Sequence, residues 1–268
     1  MVSFEMVQRL SQAVVAFMWT DAHAHLAELS AEELEGVIGA AQINQVTCIA
    51  HAGTDLVSSA VALEQSSRFP SIVPLAGITP FDVPELPDDW LDRFRHLVKD
   101  PRVRGIGEIG LDESNPAYPS LESQIPVFEA LLEVAAAASL PAVVHSRGCE
   151  QRVLDSCRNA RMQTVVFHCY TGTVEIARDI LDAGYFISLS GIITFKSQPL
   201  VDVISLIPLK SLLLETDSPY LAPVPHRGKT NQPSYVPLVG RRVADVKHCD
   251  LFEIARATSA NFHAVFGV

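Results

Sequence analysis

Six side chains able to ligate a metal stand at the C-terminal ends of separate apolar runs: His23 and His25, Glu108, His145, His168 and Asp217. Imidazole and carboxylate donors together suit a divalent cation that activates water for hydrolysis. Side chains two apart on a strand share a face. Asp21, His23 and His25 are therefore expected to point one way, with the small Ala22 and Ala24 on the other face. Glu108 lies in Gly105-Ile106-Gly107-Glu108-Ile109-Gly110-Leu111-Asp112, an apolar run in which a carboxylate is costly to bury without a cation. The glycines of that run let neighbouring backbone come close. A lone histidine at a strand end is ordinarily a hydrogen-bonded loop residue. Six ligand types at successive strand ends are not explained that way.

These groups need elements that bring them together. Short β-type runs alternate with longer helical stretches along the chain. Strands are expected around Phe17–His25, Gln45–Ala52, Ile72–Thr79, Val103–Asp112, Ala142–Ser146, Thr164–Cys169, Tyr185–Ser190 and Ser211–Asp217. Helices are expected at Ala31–Ala41, Leu56–Arg68, Trp90–Val98, Leu121–Ser139 and Val174–Ala183, the first opened by Ser30 as its N-cap. Apolar strands alternating with helices imply a parallel sheet covered by helices. About eight such units in 268 residues favour closure into an α/β (β/α)8 TIM barrel, whose catalytic groups gather at the C-terminal strand ends. The expected organisation is a short extension over residues 1–16 and one barrel over 17–268, with Pro219–Pro237 as a single long loop. His51, ending the second strand, and His226 are further candidates to line the pocket.

Composition narrows the function classes. A net charge of −11 argues against electrostatic capture of a long duplex, though not against metal-centred contact with one phosphate. No apolar stretch has the length of a membrane span. Five cysteines, without a C-x-x-C pair, point away from a disulfide framework and to a reducing, cytoplasmic setting.

The same segments resemble the TatD family of metal-dependent hydrolases, within the amidohydrolase-like barrels. Asp21-Ala22-His23-Ala24-His25-Leu26 is similar to the family's D-x-H-x-H-L opening, and Gly107-Glu108-Ile109-Gly110-Leu111-Asp112 to its G-E-I-G-L-D. His145-Ser146-Arg147, His168-Cys169-Tyr170-Thr171-Gly172 and Glu215-Thr216-Asp217-Ser218-Pro219-Tyr220-Leu221 resemble its later motifs in order, and the likeness continues through Arg227-Gly228-Lys229 to Asn261-Phe262. The resemblance implies two divalent metal ions (zinc, manganese or magnesium) and phosphodiester hydrolysis of DNA, acting from the 3′ end of single-stranded or frayed strands. It implies that His23, His25 and Asp217 hold one ion, that His145 and His168 hold the other, and that Glu108 bridges. Asp217 is then also placed to take a proton from water, and Arg147 and Arg227 to contact substrate.

Two departures stand out. The family's G-x-H-P-H reads Gly77-Ile78-Thr79-Pro80-Phe81 here, and its N-E-P reads Asn231-Gln232-Pro233. The ligands are kept while the substrate surround drifts, which leaves room for an ester or amide substrate such as an aminoacyl-tRNA.

Overall fold

The computed structural model describes residues 18–197 and 200–268. The expected extension over 1–16 and the start of the first strand at Phe17 lie outside them. Eight strands run in sequence order around one sheet, every neighbouring pair parallel: β1 (Trp19–Ala24), β2 (Val46–Ala52), β3 (Ile72–Ala76), β4 (Gly105–Asp112), β5 (Ala142–Arg147), β6 (Val165–Phe167), β7 (Phe186–Leu189) and β8 (Leu212–Leu214). Helices follow the strands: α1 (Ala31–Ile43), α2 (Leu56–Arg68), α3 (Trp90–Val98), α4 (Leu121–Ala138), α5 (Glu150–Asn159), α6 (Val174–Asp182), α7 (Val201–Leu206), α8 (Val236–Lys247) and α9 (Leu251–Phe266). This is the expected (β/α)8 barrel.

Local signals account for several boundaries. Ser30 closes a capping box on α1, its hydroxyl accepting from the Glu33 amide at 3.3 Å while the Glu33 carboxylate accepts from the Ser30 amide at 2.9 Å. The expected loop Pro219–Pro237 is shorter than that: a 3-10 turn occupies Pro233–Tyr235, and Pro237 sits in the first turn of α8, where its missing N–H costs nothing. Helix α5 was not among the expected helices; it is short, and its buried side is made of Val153, Leu154, Ser156 and Cys157.

The strands are buried on both faces, as a helix-covered parallel barrel requires. Ala22, Ala50, Leu75, Val143, Val166 and Leu213 fill the interior, joined by Phe262 and Phe266 of α9. A larger cluster packs strands against helices. The last seam is closed by few bonds. Ala24 bridges Ser218 in parallel fashion, the His25 amide donates to the Ser218 carbonyl at 2.7 Å, and the Asp217 amide donates to the His23 carbonyl at 2.9 Å.

Two expected side-chain directions are corrected at this end of the barrel. The β1–β2 register shifts between Asp21 and Ala24, breaking the alternation of two. Asp21 therefore does not join His23 and His25. Its carboxylate accepts from the Thr216 amide at 2.8 Å, from the Thr216 hydroxyl and from the His23 amide, clasping β1 to the end of β8. His51 is fully buried away from the cleft, and its Nε2 accepts from the Leu26 amide at 3.1 Å.

Burial pushes the His51 imidazole down to about 3, with the nearby His25 adding to the effect. Its folded value lies below its unfolded one, so unfolding takes up a proton. Its contribution to stability is complete above about pH 6.5 and is lost as pH falls toward 3. Urea unfolding of the metal-free protein at pH 7.5 and pH 5 should show a smaller loss of stability in His51→Gln than in the parent. Equal losses would mean that His51 carries no such linkage.

Candidate metal centre

Glu108 is the hub of the site. It is buried, projects from the middle of β4, and divides its two oxygens between two pairs of imidazoles. Oε2 lies 3.3 Å from Nε2 of both His23 and His25. Oε1 lies 2.9 Å from His145 Nδ1 and 3.1 Å from His168 Nε2. His23 and His25 bring their Nε2 atoms within 3.1 Å of each other, and Asp217 Oδ1 lies 3.7 Å from His25 Nε2. All six groups expected at strand ends thus meet in one place. The ligand atoms of His23, His25 and Asp217 form one cluster and those of His23, Glu108 and His168 another, each within 4.8 Å.

Backbone packing sets this convergence. A Cβ on Gly77 would meet the Glu108 amide nitrogen at 2.3 Å, so β3 and β4 approach this closely only over glycine. Gly110, at φ +143°, would drive a Cβ to 2.1 Å from the His145 carbonyl oxygen, and it holds β4 against the end of β5. Asp217 lies past the end of β8, which stops at Leu214 and not at Asp217 as expected. Its φ of 58° is one that Asp and Asn tolerate better than most residues.

The separations fit a shared cation. Two ligand atoms each about 2.0–2.1 Å from one ion sit roughly 3.4 Å apart at the tetrahedral angle. The contacts among His23, His25, Glu108 and Asp217 cluster around that figure. The imidazoles are also turned correctly. His25 donates from Nδ1 to the Ala52 carbonyl at 3.2 Å, and His145 donates from Nε2 to Asp112 Oδ2 at 2.8 Å. His168 Nδ1 faces Glu215 Oε1 at 3.4 Å. In each case the other ring nitrogen is left for the centre, as outer partners of metal-bound histidines commonly arrange.

The electrostatics ask for positive charge. Burial alone would raise the Glu108 carboxyl, but His168, His145 and His23 outweigh it and hold the group well below the ordinary range. Burial lowers His168, yet the Glu108 and Glu215 carboxylates beside it carry its imidazole up to about 10. Burial and the charge of His168 push His23 down to about 4. Burial raises Asp217 to about 6. An anion this deeply buried gathers protons on its neighbours when no other cation is at hand, and metal binding would displace them.

Asp112 and Glu215 were not singled out in the sequence. Asp112 lies four residues beyond Glu108 on β4, a spacing that shares a face and could have found it, whereas Glu215 follows the end of β8, where alternation gives no signal. Asp112→Asn removes the charged acceptor behind His145 and should weaken metal affinity about 10–100-fold, read by competition with a chelating dye. Unchanged affinity would mean that His145 needs no orientation.

The centre opens into a cleft of about 880 Å³. Glu28, Glu33, Asp55 and Asp82 line it beside Glu108 and Asp217, against a single guanidinium, Arg147, among the described residues. Arg147 is anchored by donating to the Thr171 hydroxyl and, at 3.1 Å, to Cys169 Sγ. Thr79 donates to the Asp82 carboxylate, and Phe81 stands edge-on to His145 with ring centroids 5.4 Å apart. Arg227 does not reach the lining; its guanidinium lies 3.5 Å over the ring of Phe195. His226 likewise stacks on Tyr235 at 4.1 Å.

A parallel barrel that gathers imidazoles and carboxylates at its C-terminal strand ends defines the class: barrel-type metal-dependent hydrolases. Comparison with known proteins narrows it. The model of the TatD related DNase family matches residues 20–267, and the chain belongs to that family. It is 33% identical over 255 residues to the uncharacterized metal-dependent hydrolase YabD of Bacillus subtilis, a match spanning 94% of this chain and 100% of YabD. It is 32% identical over 225 residues to a protein of Citrobacter rodentium named 3'-5' ssDNA/RNA exonuclease TatD, spanning 81% of this chain and 85% of that one. The crystal structure of YJJV, a TatD homolog from Escherichia coli K12, superposes with a TM-score of 0.88 at 25% identity, covering 93% of this chain and 98% of that chain. Among the described residues no helix is long and apolar enough to cross a membrane.

Proposed function

We propose that this chain is a deoxyribonuclease that hydrolyses phosphodiester bonds from the 3′ end of single-stranded or frayed DNA. The observation that carries the reading is the divided Glu108 carboxylate, one oxygen toward His23 and His25 and the other toward His145 and His168. A carboxylate divided in this way would suit two divalent ions, one beside each oxygen. His23, His25 and Asp217 would hold one ion and His145 and His168 the other, with zinc, manganese or magnesium suited to such mixed donors. A pair of divalent ions supplies an activated water and neutralises charge building on the phosphoryl oxygens. The protein's own groups do the rest. The Asp217 carboxylate takes the proton of the attacking water. Arg147, its fork fixed by Thr171 and Cys169, turns its remaining N–H groups to a non-bridging phosphate oxygen. The acidic wall of the cleft keeps further phosphates away, which favours a strand end over a long duplex. The naming of the Citrobacter relative supports the polarity and the substrate.

A second reading keeps the centre and changes the bond to an ester or amide, as in an aminoacyl-tRNA. The carboxylates of Asp55 and Asp82 beside the cleft favour it, because they suit a cationic amino group better than a polyphosphate chain. Metal-replete digestion of 3′-end-labelled single-stranded DNA, run beside an aminoacyl-tRNA with Glu108→Ala as the blank, decides between them. Mononucleotide release absent from the blank is the expected result. Intact DNA with deacylated tRNA would move the second reading to first place.

A further inference from the structure

We propose that Phe81 and Tyr118 form a stacking subsite for the unpaired nucleobase next to the scissile phosphodiester, making Phe81 a specificity-determining residue. The inference rests on the nuclease reading and names how that site chooses its substrate. Phe81 comes from the loop after β3 and Tyr118 from the loop after β4, both at the end of the barrel that bears the centre. Their rings meet edge to face with centroids 4.8 Å apart, and both remain 38–39% exposed, so they pack on each other without being covered. Phe81 lines the main cleft and also a neighbouring hollow of about 550 Å³ whose other walls are Pro84, Ala117, Tyr118 and Pro119.

That hollow carries no charge and begins one ring away from His145, whose Nδ1 faces Glu108. A phosphodiester held at the centre therefore puts its neighbouring nucleoside beside these rings. The rest of the cleft wall argues the same way. Glu28, Glu33, Asp55 and Asp82 repel a second and third phosphate, and Arg147 is the single guanidinium of the described lining. Grip on the flanking nucleotide must then come from a ring face, which stacking provides for any base and only when that base is unpaired.

The test uses the manganese-loaded full chain and two single-stranded oligonucleotides, one ordinary and one abasic at its two 3′-terminal positions. The parent should favour the ordinary strand about ten-fold in KM, with a smaller difference in kcat. Phe81→Ala should reduce that preference to within about two-fold, and Phe81→Trp should restore it, with thermal unfolding unchanged because the side chain lies at the surface. A preference untouched by Phe81→Ala, or equal losses on both strands, would overturn the subsite. If neither strand is cut, the nuclease reading fails. Fluorescence anisotropy of the same two strands on Asp217→Asn then judges the subsite by itself, through tighter binding of the ordinary strand that Phe81→Ala abolishes.

Discussion

Glu108→Ala is expected to yield a folded barrel that no longer retains divalent metal, with a fall in kcat/KM of at least about 10³-fold. One Glu108 oxygen serves His23 and His25 and the other serves His145 and His168, so a single carboxylate joins the two imidazole pairs. Removing it splits the centre into two incomplete sets at once. The fold should persist because the Glu108 side chain bonds to the site imidazoles, while the packing under Gly77 involves only its backbone. The variant also loses one of the anions that raise His168 and His145, leaving Glu215 beside the first ring and Asp112 beside the second. Elemental analysis after dialysis, circular dichroism and turnover together check the outcome. Retained metal with turnover within about tenfold of the parent would remove Glu108 from the role of bridge.

Asp217→Asn should separate chemistry from binding. The substitution keeps shape, tolerates the positive φ and preserves the backbone amide that donates to the His23 carbonyl. It deletes the basic oxygen proposed to accept a proton from water. A loss of about 10²–10⁴-fold in kcat, with KM changed much less, is the expected result at saturating metal. The measurement must match metal occupancy, because Asp217 also stands 3.7 Å from His25 as a candidate ligand. Comparable turnover at matched occupancy would return the proton transfer to another group.

Much of this was legible because a parallel barrel turns strand position into site position. Each apolar run had to be a strand buried on both faces, and each polar residue at its C-terminal end had to face the others. His145 and His168 follow that rule, while Glu108 reaches the same place from the middle of β4, where Gly77 lets the backbone come close. What was not legible depends on local departures from regular strand. The register shift after Asp21 turned a side chain expected to share a face with His23 and His25 into a clasp on Thr216. Asp217 reaches the centre through a left-handed residue after the strand has ended, which no alternation predicts. Arg227 found an aromatic partner in Phe195, a pairing across the fold with no signature in spacing. His51 looked like a pocket residue from its strand-end position, yet the parity of β2 sends it to Leu26.

The seam between the first and last strands carries a consequence for when the protein becomes active. Asp21 and Thr216 are 195 residues apart in the chain, and their contact adjoins the bonds that seat His23, His25 and Asp217. A chain that has formed β1 to β7 already holds five of the six groups, but not the sixth, nor the amide that positions the first pair. Whatever the order in which the strands form, the six groups are all in place only once the ring is shut. A chain truncated before β8 is expected to show no hydrolytic activity, because it lacks Asp217 and the amide that holds the His23 carbonyl.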